Sequence, residues 1–173
     1  MNMAFQNVRQ ALQTASKKLS RRALHWRMRG QPEADILVAE RKLRGVEQFD
    51  KLHRADVVIV SFGKSGRTWL RVMISHLFRV MYKFPENAIL GFDNFHNLNR
   101  EVPKTFFTHD NYIKDFTGDF DTKAPFYDKR VILLARDPRD VAVSQFFQWK
   151  FRVKSTKIAI NNYPPRGSDI SLF

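Results

Sequence analysis

The sequence predicts an α/β fold built on a parallel sheet, and three observations carry that prediction. Residues 57–60, Val-Val-Ile-Val, form a continuous apolar run of the kind a strand buried on both faces requires, and residues 131–134, Val-Ile-Leu-Leu, form a second. Each run passes through a turn into a helical pattern, so the chain reads strand–turn–helix twice, as crossover-connected parallel strands do. At 173 residues and 43% hydrophobic, the chain is long enough for one domain with a real core and too apolar to be disordered.

The elements can be justified in order. Residues 1–54 read as a basic helical N-terminal extension, ahead of an α/β domain over 55–173. Phe5, Val8, Leu12, Ala15 and Leu19 recur at spacings of three and four, giving a helix of roughly 3–26 with one apolar stripe. Gly30-Gln31-Pro32 breaks it, and 33–44 reads as a second, short helix. Lys17, Lys18, Arg21, Arg22, Arg27, Arg29, Arg41, Lys42 and Arg44 supply much of the formal net charge of +13. The stripe is expected to pack on the domain with the charges facing water. The alternative is a basic amphipathic helix in peripheral contact with an anionic membrane surface, or with nucleic acid.

The first strand turns through Gly63 and Gly66 into a helix beginning near Thr68. A helix N-terminus presents unpaired N–H groups and partial positive charge, which suits a phosphate or sulfate. Lys64 and Arg67 add full charges; Ser65 and Thr68 add hydroxyl donors. The loop is not a Walker A motif, because the position five residues before Gly63 is Val58, in mid-strand.

The second strand closes on Arg136. Asp137 then stands at the N-cap of a helix over 138–152, Pro138 at its first position and Asp140 at the capping-box position. Val141, Ser144 and Gln148 recur at one-turn spacing, and Arg136 and Ser144 could meet over a second phosphate. Two separated anion sites at one sheet edge imply a ligand phosphorylated at two distant positions.

These two segments resemble the sulfotransferase family. Ser-Phe-Gly-Lys-Ser-Gly-Arg-Thr-Trp (61–69) is similar to its 5′-phosphosulfate loop, and Arg-Asp-Pro-Arg-Asp-Val-Ala-Val-Ser (136–144) to its 3′-phosphate motif. The resemblance implies a P-loop-like parallel sheet flanked by helices, and 3′-phosphoadenosine 5′-phosphosulfate (PAPS) as sulfuryl donor, with no metal. It implies that Lys64, Ser65, Gly66, Arg67 and Thr68 hold the 5′ side, that Trp69 stacks on adenine, and that Arg136 and Ser144 hold the 3′-phosphate. Lys64 would stabilise the leaving phosphate, and His109, ending an intervening strand Thr105-Phe106-Phe107-Thr108, would be the general base. Gly63 stands where the family usually has proline, Arg67 where it has threonine, and Phe107 where a lysine commonly precedes the histidine by two. The resemblance covers roughly 55–173, about the first half of such a domain, so a C-terminally truncated domain is expected. A non-catalytic nucleotide-binding fragment is the alternative.

The remaining residues read more plainly. His25, His53, His76 and His96 have no motif around them and are packing or surface histidines. Trp69 alone could be core, and Phe146, Phe147, Trp149 and Phe151, close together on one helix, read as core or acceptor-pocket wall rather than a cofactor box. The carboxylates Asp110, Asp115, Asp119, Asp121 and Asp128 are spread along loops and form no metal cluster. Zero cysteines exclude disulfides, thiolate zinc sites and cysteine catalysis. No apolar stretch reaches the ~18 residues of a membrane span, and the N-terminus lacks a signal-peptide core. A cytoplasmic sulfuryl-transfer enzyme acting on a small-molecule, carbohydrate or lipid acceptor is the expectation, with no nucleic-acid partner.

Overall fold

The computed structural model describes the backbone of residues 3–170, with the side chains of 3–7, 9, 10 and 156 outside the described set. Three parallel strands form the sheet: β1 (Val57–Ser61), β2 (Thr105–Thr108) and β3 (Arg130–Leu134), in the order β2-β1-β3. β1 is central, with Val57 opposite Thr105 on one side and Arg130 on the other. Both connections leaving β1 and β2 carry helices, as parallel pairing demands. The α/β expectation is met.

Two cores sandwich the sheet. On one face Val58 and Phe106 meet Leu52 of α2 (Glu33–Arg54) and Ile113 of α5 (Ile113–Thr117). On the other, Phe107 packs with Phe95 of α4 (Asn94–Leu98) and with Ile74 and Phe78 of α3 (Arg67–Tyr82). Alternation along β2 sends Phe106 to one layer and Phe107 to the other.

The N-terminal helix α1 (Met3–Arg27) falls where its periodicity places it, but α2 runs ten residues beyond its expected end at Arg44. Gly45 invites a stop there, yet it sits inside the helix because α5 crosses over it. A Cβ at this position would stand 2.4 Å from the Tyr112 carbonyl oxygen and 2.6 Å from Phe116 Cβ. Arg41, one turn earlier, ties α2 to the rest of the chain. Its guanidinium donates to the Ile160 and Asn111 carbonyls at 2.8 and 3.0 Å and to Asp115 at 2.9 Å, beneath the Tyr112 ring.

Two packing expectations are corrected. The apolar stripe of α1 does not pack on the domain: Val8, Leu12, Ala15 and Leu19 are exposed, while Phe5 lies outside the described side chains. The charged face docks instead, through Arg21 on Glu47 at 2.9 Å and His25 on Glu40 at 2.9 Å. The second correction is β3, whose apolar run is not buried. Val131, Ile132 and Leu133 are exposed, Leu133 at 73%: neither core cluster includes a β3 side chain, and no further described strand pairs with its outer edge. The apolar ending at Leu172 and Phe173 lies outside the described residues.

Candidate active site

The site forms at the carboxyl edge of the sheet, where all three strands end. After β1 the chain turns sharply: Lys64 has φ 67° and Gly66 φ 95°, both left-handed, and α3 starts at Arg67. Glycine relieves that strain at Gly66 only, and a Cβ there would meet nothing within 4 Å, so the space above the loop is open. No side chain caps the α3 N-terminus, leaving its first N–H groups facing that space. Ser65 is buried and Thr68 exposed. Trp69 is 75% exposed, so it is no core residue.

Beyond β3, Arg136 swings across to this loop. Its Nη1 donates to the Lys64 carbonyl at 3.4 Å, joining two segments 72 residues apart. Asp140 accepts from Arg136 Nε and Nη2 at 3.3 and 3.1 Å and so orients the guanidinium rather than closing a capping box. Asp137 does cap α6 (Pro138–Phe147), accepting from the Arg139 N–H at 2.8 Å. The side-chain bond from Arg139, first, holds the Asp137 carboxyl below its usual range. α6 continues into a π-helical turn, Gln148–Arg152, the kind of irregularity that accompanies functional sites. Gln148 Oε1 accepts from Lys64 Nζ at 3.2 Å. Ser144 is half-buried one turn before Gln148.

His109 follows β2 directly, and the sheet register sets it beside Ser61, since Thr108 pairs with Val60. Its Nδ1 donates to the Ser61 carbonyl at 2.7 Å. That bond fixes the tautomer with Nε2 unprotonated and able to accept a proton. Burial, chiefly, lowers the His109 pKa; the Ser61 bond opposes this, and the charge of Arg67 adds to it. Asp110, the residue after His109, is engaged by Lys123.

Apart from Arg136, which Asp140 engages, the cations here lack carboxylate partners. Among the described residues Lys64, Arg67 and Arg71 form no ion pair. Arg71 stacks over Phe107 at 4.4 Å, and its buried Nε has no hydrogen-bond partner. Burial lowers the pKa of both Arg67 and Arg71. Gln145 Oε1 is likewise buried without a partner, 3.3 Å from where a Gly63 Cβ would stand. Uncompensated positive charge around an open helix N-terminus fits an anionic ligand such as a phosphosulfate.

The remaining assignments sort by place. His25, His53 and His96 bind Glu40, Phe49 and the Val102 carbonyl, and His76 is exposed, so none joins the site. Trp149 is core, its Nε1 donating to the Pro164 carbonyl at 2.8 Å, and Phe146 packs on it. Arg71 carries no motif in the sequence, although its place four residues after Arg67 puts both on one helix face. No group of three or more metal-ligating side chains occurs among the described residues.

The sulfotransferase domain profile matches residues 54–163. The chain belongs to the sulfotransferase family. It is 26% identical over 137 residues to human sulfotransferase 6B1, covering 75% of this chain and 43% of the relative. It is 25% identical over 139 residues to sulfotransferase 6B1 of Pan troglodytes, covering 76% and 44%. This sulfotransferase-family chain thus spans less than half the length of the curated relatives it matches. No solved structure gives a significant match. None of its described helices is long and apolar enough to cross a membrane.

Proposed function

We propose that this sulfotransferase-family chain binds PAPS and carries the donor half of a sulfuryl-transfer site, with residues 55–173 holding the machinery and 1–54 an extension that braces it. The observation that carries the reading is the reach of Arg136 to the Lys64 backbone, which brings the two cationic motifs to one edge with His109 beside them. When bound, the donor supplies a sulfuryl group activated by its anhydride bond to phosphate.

Each residue then has a defined task. The N–H groups at the start of α3, with Ser65, Gly66, Arg67 and Thr68, hold the 5′ side, and Trp69 offers an open aromatic face to the adenine. Arg136, steadied by Asp140, and Ser144 hold the 3′-phosphate. Lys64 neutralises charge on the phosphate oxygen as its bond to sulfur breaks, and Gln148 positions the ammonium. His109 Nε2 takes the proton from an acceptor hydroxyl or amine as the new bond to sulfur forms. Transfer of this loose, in-line kind rests on positioning and charge, which lysine and arginine supply without a metal. The acceptor is a small molecule, carbohydrate or lipid, and the compartment the cytoplasm.

Calorimetry tests the donor assignment. Adenosine 3′,5′-bisphosphate should bind at least roughly tenfold tighter than ATP, and Lys64→Ala and Arg136→Ala should each weaken it about 10–100-fold by removing a charged hydrogen-bond partner. Equal affinities, or ATP binding that requires magnesium, overturn the two-phosphate reading. Transfer of labelled sulfate to an acceptor panel separates a catalyst from a nucleotide-binding fragment.

A further inference from the structure

We infer that α1 is an interfacial helix that seats this chain on an anionic lipid surface. The helix spans 25 residues without a single acidic one. Its apolar residues Val8, Leu12, Leu19 and Trp26 repeat at 4, 11 and 18 positions, near multiples of the 3.6-residue turn, so they form a straight stripe about 27 Å long. All four are exposed, Trp26 at 78%.

The opposite face is already taken. Lys17 and Arg21 reach Glu47 at 3.7 and 2.9 Å and His25 reaches Glu40 at 2.9 Å, so α2 holds α1 by its polar side. Leu19 and Trp26 are therefore turned outward, and Leu12, though exposed, stands at the mouth of the cleft between α1 and α2. Lys18 and Arg22 border it on one flank and Arg27 on the other; all are exposed and form no ion pair among the described residues.

This order of groups selects the occupant. A surface meeting these cations meets hydrocarbon between them, which matches anionic headgroups over acyl chains. A nucleic-acid backbone offers the phosphates but nothing for Leu12, Leu19 and Trp26. A second copy would bring like charges onto both rims.

Co-sedimentation of the whole chain with phosphatidylcholine vesicles containing about 30% phosphatidylserine tests this directly. The chain should bind these vesicles and bind phosphatidylcholine alone at least roughly tenfold more weakly. Replacing Leu12, Leu19 and Trp26 together by Gln should lower binding at least roughly tenfold while helical circular dichroism is kept. Leu133→Lys, on the exposed sheet edge, should leave binding unchanged. Vesicles should shift the tryptophan emission to the blue, and Trp26→Phe should remove that shift with affinity kept, a readout independent of the triple variant's folding. No binding to the acidic vesicles overturns the inference, as does a triple variant that binds like wild type. So do a stripe-dependent dimer without lipid, and a DNA duplex held more tightly than vesicles irrespective of the stripe.

Discussion

His109 owes its chemistry to groups remote in sequence. The Ser61 carbonyl orients the ring from β1, and burial with the Arg67 charge disfavours its protonation. A base must be neutral to act, so the acid limb of the pH–rate profile should lie below the ordinary histidine value of about 6.5. His109→Ala should abolish transfer and leave bisphosphate affinity within about twofold, because the ring serves the acceptor side; wild-type turnover in that variant would reassign the base. The same shift bears on stability. A histidine whose folded pKa is depressed contributes stability that is fully present above its unfolded value and is lost as pH falls through the folded one. Denaturant midpoints of wild type should therefore drop on acidification, and His109→Gln should flatten that part of the curve.

At the scale of elements, one close approach at Gly45 sets how α2 meets α5. Gly45 lets the Tyr112 carbonyl lie where a side chain would be. Gly45→Ala gains about 1 kcal/mol in helix propensity, but the 2.4 Å and 2.6 Å contacts are with backbone and Cβ atoms that cannot rotate away. Overpacking of this kind costs about 1–3 kcal/mol or more. Because the shift needed is large, the cost should win, and thermal unfolding should begin several degrees lower. An unchanged or raised Tm would show that α5 does not press on α2. The helix pattern alone reads Gly45 as a terminator, since propensity knows nothing of a helix that starts 68 residues downstream.

For the whole molecule, apolar surface is distributed unevenly. β3 presents Val131, Ile132 and Leu133 at an edge that no described strand pairs, and Trp69, Met73, Leu77 and Val80 of α3 are exposed. An unpaired strand edge with exposed aliphatic side chains templates association. Sedimentation velocity should show this chain self-associating between micromolar and millimolar concentration, and Leu133→Lys should reduce that association without affecting the nucleotide. A monomer at every concentration would contradict the exposure seen here.

Local order was written into the chain. Four β-branched residues before Gly63, the Asp137-Pro138 start of α6 and the period of α1 each specify their element through short-range sterics and hydrogen bonding, which neighbours in sequence suffice to define. The candidate residues Lys64, Arg67 and Arg136 could be named for the same reason: they sit where a strand must turn into a helix. Tertiary structure decided what those elements do with their surfaces. Asp140 went to Arg136 instead of a capping box, and Gln148 acquired Lys64. Gly45 became a contact, and β3 kept its apolar faces open. The stripe on α1 turned outward because Glu40 and Glu47 compete for its cations, and an ion pair across 15 or 26 residues has no signature in the periodicity of one helix.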